Sequence, residues 1–409
     1  MTVPGALSHI RVLDLSRVLA GPTCSQTLAD LGAEVIKIER PGTGDDTRSW
    51  APPYLKDADG RDTSEAAYYL SCNRNKQSLT LDISRPEGQA IIRALVAKSD
   101  VLLENFKVGD LARFDLDYEK LKLINPALVY CSITGFGQTG PYAKRAGYDF
   151  LIQGMGGLMS ITGERDELPG GGPQKVGVAV TDIMTGMYST IAILAALASR
   201  EKSGFGQYID MALLDVGVAM LGNMHLNYFT TNEAPKRWGN AHSNIVPYEV
   251  FACADGHMIL AAGNDSQFRK FCEVAGCAQL IDDARFARND ARVRNRETLV
   301  PLLAQTIKKR ERDDWITSLE AAGVPCGPIN TIDQVFDDPQ VRHRGMKFEM
   351  PHRLAGSVPL VASPMRLSAT PVEYHRPPPT LGQDTDSVLA QVLGMDLTAI
   401  AALRTQGII

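Results

Sequence analysis

The sequence predicts an α/β protein: a doubly wound, mostly parallel sheet of Rossmann-like type in a large domain, into which a smaller α+β domain is inserted. Three observations predict it. Apolar runs of strand length alternate with stretches of helical period through the first half of the chain. A hairpin signal at Ala254-Asp255-Gly256-His257 is followed by helical stretches. The 409 residues also exceed what one core supports, at roughly 100 to 200 per domain. The expected division is 1–224 for the first part of the large domain, 225–330 for the small domain with its linkers, and 331–409 for a return segment that completes the large one.

Taken in order, Ile10 to Leu15 reads as a buried strand, Gly21-Pro22 starts a helix to about Leu31, Gly32 ends it, and Glu34 to Ile38 alternates as the next strand. The unit recurs, with strands over Ser78 to Leu81, Val101 to Asn105 and Leu128 to Thr134 and helices over Pro86 to Lys98 and Asp117 to Ile124. Such sheets bind ligands in loops beyond the carboxyl ends of their strands. Those loops are Ser16 to Ala20, Arg40 to Gly44, Asn105 to Gly109 and Gly135 to Gly140, and the first carries SRVLAGP, so no GxGxxG fingerprint is present. Arg40 to Ala66 reads as a long polar surface loop, a kind that is more often functional than idle. Arg40, Arg74, Lys76, Lys107 and Arg113 fall near strand ends, where cations suit phosphates and where solvated surface charge is an equally ready explanation.

The stretch around which the chain is organised is Pro169 to Met187, in which glycines give way to an extended apolar segment (Val176, Val178, Val180) and then to Asp182 at the mouth of a helix reaching about Arg200. Taken alone, Asp182 reads as a helix N-cap. A strand over Tyr208 to Ala212 and a helix from about Leu214 to Tyr228 follow. The small domain opens with strands over Tyr248 to Cys253 and Met258 to Ala262, and a proline-rich return from Pro339 leads to helices over Thr385 to Leu393 and Leu397 to Thr405.

Composition excludes several classes. A net charge of −5 and a pI near 5.9 provide no field that gathers nucleic acid. The seven cysteines lack any CxxC pair and the seven histidines do not cluster, so no metal is expected and the thiols are expected to be reduced. The start lacks a basic region followed by an apolar core, and no run of about 18 uninterrupted apolar residues occurs, so a cytoplasmic protein without membrane partners is expected.

Several segments together resemble one family, the class III coenzyme A transferases (CaiB/BaiF, formyl-CoA transferase-like), and within it the dicarboxylate CoA-transferases. They are VLDLSRVLAGP (12–22), LADLGAEVIKIERPGTGDDTR (28–48), NRNKQSLTLD (73–82), ENFKVGDLARF (104–114), SITGFGQTGPYAKRAGYDFLIQGMGGLM (132–159), the Asp182 segment, SGFGQYIDMALLD (203–215) and RWGNAHSNIVPYEVFACADGHMILAAGND (237–265). The resemblance implies an interlocked homodimer and places Asp182 as the nucleophile. It also implies a CoA thioester as substrate, not a permanently bound cofactor, with Arg40, Arg74, Lys76, Asn105, Phe106 and Arg113 contacting CoA. A carboxylate suits the chemistry, because it can attack a thioester carbonyl and carry the acyl group and then CoA in turn, provided water is kept out. The loops Gly154 to Gly157 and Gly170 to Gly172 are candidate donors to the developing oxyanion, or ordinary turn glycines.

Two departures narrow the choice. The related 2-methylacyl-CoA racemases place histidine ahead of the Asp of the GYDF-like motif; here Tyr148 stands there, a poor base, which leaves racemization as the runner-up. A non-catalytic CoA-binding protein is the third reading. The formyl-CoA enzymes carry glutamine after the first strand and a glycine-rich lid, where this chain has Leu19 and Asn240-Ala241-His242-Ser243. Succinyl-CoA as donor and a succinate-sized or C5 dicarboxylate as acceptor are expected in place of oxalate, with Arg17, Leu19, Tyr148 and His242 as substrate contacts.

Overall fold

The computed structural model describes residues 4–409. The chain forms two compact units: the first holds the chain up to Leu158, Val176–Gly222 and Gln340–Ile409, and the second holds Met159–Lys175 and Asn223–Pro339. Thirteen strands follow in chain order among the described residues. The first unit contains β1 (Arg11–Asp14), β2 (Glu34–Glu39), β3 (Tyr54–Lys56), β4 (Asp62–Ala66), β5 (Lys76–Thr80), β6 (Val101–Glu104), β7 (Val129–Thr134) and β8 (Tyr208–Ala212). The second contains β9 (Tyr248–Ala252), β10 (His257–Ala261) and β11 (Cys326–Pro328); β12 (Lys347–His352) and β13 (Gly356–Val361) return to the first.

The main sheet is six-stranded in the order β5-β2-β1-β6-β7-β8, and every pair in it is parallel. Its inner strands are buried on both faces, as a parallel sheet requires, while the edge strand β8 is partly exposed. Leu13, Ile36, Leu79 and Leu102 enter one core with Ile91, Ile92 and Leu95 of the Pro86–Val96 helix and Val388 and Leu389 of the Thr385–Leu393 helix. Val12, Val35, Val101 and Leu103 enter the other, beneath the Ala20–Asp30 and Val180–Ser203 helices. Each fully buried aliphatic side chain contributes about 1.5–3 kcal/mol, so the C-terminal return is held to the large unit by its own apolar face. From β1 the chain proceeds outward through β2 and β5, then crosses back to β6. The strand order therefore reverses between β1 and β6, which is where open α/β sheets form their ligand crevice.

The second unit packs the antiparallel sheet β9-β10-β11 against helices Asp265–Val274, Arg296–Ile307 and Arg312–Ala321 around Phe271, Phe286 and Trp315. Four sequence expectations change. The long polar loop carries the β3–β4 hairpin, and the proline-rich return carries the β12–β13 hairpin. The helix expected over Leu214 to Tyr228 is two, Leu213–Ala219 and Met224–Thr231. Val176 to Val180 is not a strand; the long helix already begins at Val180.

Candidate active site

The Val180–Ser203 helix brings Asp182 to the crevice. The helix stops at Gly204, whose φ of 76° is the left-handed cap conformation and whose N–H donates to the Arg200 carbonyl at 2.8 Å. Gly186 lets it press against the Ala20–Asp30 helix, because a Cβ there would lie 2.7 Å from the Ala20 carbonyl oxygen. That close approach sets the start of the shorter helix beside the first turn of the longer one.

Asp182 is not the cap of its helix. It is the third residue in, and the capping position, Ala179, offers no side-chain acceptor. The acceptor comes from Asp149, at the start of the Asp149–Met155 helix. One Asp149 oxygen accepts from the Thr181 N–H at 2.8 Å, from the Thr181 hydroxyl, and more weakly from the Asp182 N–H at 3.4 Å, while the other accepts from Gln153 Nε2 at 2.7 Å. Asp182 is left with a half-buried carboxyl that accepts no hydrogen bond from the described residues. Burial, and then the Asp149 charge, raise its pKa to about 7. Tyr68, whose phenol is raised to about 12 by burial and then by the charge of Asp182, stays protonated near it.

Asp182 opens into a cavity of about 260 Å³ lined by the loops after β1, β6 and β7. Leu19 and Tyr148 line it, and Tyr148 is 65% exposed. The Ala20–Asp30 helix begins at this wall with no side-chain cap and no acid in its first turn, so its positive end is unopposed. Asn105 and Arg17 meet here: the Asn105 side chain accepts from the Arg17 N–H at 2.9 Å and donates to the Arg17 carbonyl at 2.8 Å. Lys107, Lys144 and Arg145 supply cations to the same wall. The last two, like Asp149 and Tyr68, were missed as site residues; the basic run ahead of the GYDF motif was the available signal. A larger cavity of about 650 Å³ shares Arg17, Asp46, Phe106 and Asp110 with the first and reaches exposed Arg40.

Other expected contacts lie elsewhere. Arg74 is buried and grips Asp30 with two nitrogens, at 2.9 and 2.5 Å, while its third donates to the Val361 carbonyl at 2.9 Å. Lys76 is buried against Asp14 at 3.4 Å, the Asn73 side chain at 2.9 Å and the Pro22 carbonyl at 3.0 Å. Both cations are committed to internal partners and neither lines the two cavities, so their geometry favours a structural role over phosphate binding. Arg113 is exposed, 3.7 Å from Asp110, and is itself outside both linings. His242 belongs to the second unit, where its Nδ1 accepts from the Asn244 N–H at 3.0 Å and its carbonyl accepts from Arg296 at 3.1 Å. The N–H groups of Gly156, Gly157, Gly171 and Gly172 already donate to Ile152, Gly154, Leu168 and Glu164, which makes them turn and helix-end glycines. Among the described residues no group of His, Cys, Asp and Glu side chains is arranged to hold a metal.

A part-buried carboxylate that accepts no hydrogen bond among the described residues, in a switch-point crevice lined by cations, suits transfer chemistry on an anionic thioester substrate. The model of the family described as "CoA-transferase family III" matches residues 7–385. The chain is 51% identical over 393 residues to the succinate–glutarate CoA-transferase of Agrobacterium fabrum, covering 96% of this chain and 97% of that protein. It is 43% identical over 403 residues to the human succinyl-CoA:glutarate CoA-transferase, covering 98% and 90% respectively. A crystal structure of a CaiB/BaiF family protein from Brucella suis superposes with a TM-score of 0.83 at 49% identity, covering 95% of this chain and all of the other. The chain belongs to CoA-transferase family III.

Proposed function

We propose that the enzyme transfers CoA from succinyl-CoA to a free dicarboxylic acid of about glutarate length, with Asp182 as the group that carries the acyl unit and then CoA. The observation that carries this reading is the Asp182 carboxyl itself, which accepts no hydrogen bond and forms no ion pair among the described residues and stands in the crevice that the Ala20–Asp30 helix also reaches. The names of the relatives support the acid pair. So does Leu19, whose apolar side chain lines the cavity without a polar group to engage a short diacid.

Four steps balance. The Asp182 carboxylate attacks the thioester carbonyl and expels CoA thiolate, leaving a mixed anhydride. The thiolate, still bound, attacks the aspartyl carbonyl and releases succinate, so CoA is now held as an aspartyl thioester. The acceptor carboxylate attacks that carbonyl and expels the thiolate again, and the thiolate then attacks the acceptor's carbonyl to form the new acyl-CoA and restore Asp182. The positive end of the Ala20–Asp30 helix suits the oxyanions of these steps. Arg40, Arg17 and Phe106 suit the nucleotide and pantetheine parts of CoA in the larger cavity, and Lys107, Lys144 and Arg145 suit its phosphates. Racemization needs a base on each side of the substrate α-carbon, and a tyrosine at 148 does not supply the second.

The enzyme works, in this reading, as an interlocked homodimer in the cytoplasm; its seven free cysteines suit a reducing compartment. Incubation with succinyl-CoA followed by borohydride or hydroxylamine should modify Asp182, as read by peptide mass spectrometry. Asp182→Ala should bind CoA, resist modification and transfer nothing. Full transfer by that variant would overturn the proposal.

A further inference from the structure

The loop after β1 holds an unusual residue. Val18 has φ of 70°, a left-handed conformation that a β-branched side chain adopts only under constraint. The constraint comes from two groups remote in sequence. Lys37, on β2, and Asp45, in the loop that follows it, form an ion pair at 2.9 Å with both side chains fully buried. Lys37 Nζ also donates to the Ser16 carbonyl at 2.8 Å, and the Asp45 carboxylate accepts from the Val18 N–H at 3.2 and 3.3 Å. Asp45 is anchored in turn by the Thr47 N–H at 3.0 Å and the Thr47 hydroxyl at 2.8 Å. Asn105 grips the backbone of Arg17 from the other side. The pair therefore holds the backbone at positions 16 and 18, immediately before Leu19 in the Asp182 cavity.

We infer that the buried Lys37–Asp45 pair is a positioning device that keeps Val18 in its left-handed conformation, so that Leu19 stands at the wall of the Asp182 cavity and sets the length of acid accepted. The inference rests on the reading of Asp182 given above. Neither Lys37 nor Asp45 lines the Asp182 cavity, where they act through the loop; both line the larger cavity, and a ratio between two acids with one CoA donor cancels any change in CoA binding there. Released from the pair, Val18 would relax toward negative φ and carry Leu19 with it, and misplacement by an ångström at such a wall is felt strongly in rate.

The test replaces both partners, Lys37→Met with Asp45→Leu, which leaves no lone buried charge. The preference for glutarate over a diacid two carbons longer, measured as a ratio of kcat/KM, should fall by about ten-fold or more. Adding Val18→Gly should recover most of that preference, because glycine takes positive φ without a grip; a purely structural role for the pair predicts no recovery. An unchanged preference in the double variant, or no recovery in the triple, overturns the inference. Should the double variant not fold, Val18→Gly alone decides: its melting temperature should rise, whereas at a relaxed position glycine lowers it. That melting measurement needs no substrate, so it stands apart from failure of Asp182 to be trapped, which would overturn the reading of Asp182 instead.

Discussion

Two aspartates of the first unit, Asp14 at the end of β1 and Asp182 in the crevice, face opposite electrostatic surroundings. Burial pushes the pKa of Asp14 up, but Lys76 and Lys37 outweigh it and the pKa falls. Asp182 has only burial and the Asp149 charge, and its pKa rises to about 7. A transferase that needs the carboxylate should gain kcat/KM as pH rises through about 7. The sign for stability is the reverse. Since the folded pKa lies above the unfolded value of 3.8, the stability associated with a neutral Asp182 is fully present below about pH 3.8 and is lost as pH rises through about 7. Asp182→Asn should therefore melt above the parent protein at pH 8 and level with it near pH 4, measured by calorimetry; equal melting at both values would deny the shift. The cations separate by burial in the same manner. Arg74→Ala leaves the buried Asp30 charge without its cation, held only by the Asn75 amide at 3.0 Å, at a cost of about 3 kcal/mol in stability. Arg40→Ala removes an exposed charge and should raise the KM for succinyl-CoA roughly ten-fold with no change in melting, the size of one charge-assisted hydrogen bond. The sequence offered both arginines equally as phosphate ligands, because the carboxylate that claims Arg74 lies 44 positions away.

At the level of elements, the long helix borrows its cap. Asp149→Ala should lose about 1 kcal/mol of stability, as N-cap removals do, and should lower the pH midpoint of activity by removing the charge that helps raise Asp182. Asp149→Asn keeps an acceptor for the Thr181 N–H, so it should shift the midpoint while sparing most of the stability. A midpoint that stays near 7 in both variants would contradict the coupling. The sequence shows Asp149 in its motif, yet its partner Thr181 stands 32 residues on, and helix capping is legible only when it is local. The inner parallel strands and their crossovers were legible for the opposite reason, since each of those apolar runs is buried on both faces and declares itself without a partner. The hairpins that escaped notice are polar or contain proline. Pro351 and Pro359 sit in the two-stranded β12–β13 sheet, where each strand keeps a free edge and a missing N–H is tolerated. Tyr54–Lys56 and Asp62–Ala66 likewise pair only with each other, with no apolar alternation to announce them.

On the scale of the whole molecule, the Val180–Ser203 helix is long and apolar enough by composition to cross a membrane, with 44% of its most apolar window buried. Much of what is not buried is apolar: Ile183, Tyr188 and Ile191 are 36%, 40% and 60% exposed, and Phe150, Leu151 and Val218 lie exposed in the same unit. The helix also carries Asp182 in its first turn and is drawn onto the Ala20–Asp30 helix through Gly186, and both features suit a helix seated in a protein core better than one in lipid. A second copy of the chain is the covering that the family resemblance implies, and obligate homodimer interfaces are built from such apolar surface. Light scattering on the purified enzyme should therefore return twice the chain mass of 44.4 kDa, independent of dilution, because the linked rings that the resemblance implies would not separate without unfolding. Ile191→Glu, which places a charge on that face without touching the crevice, should lower the yield of dimer and leave any monomer prone to aggregate. A stable, active monomer from the unaltered chain would remove the dimer from the proposal while leaving the chemistry of Asp182 intact.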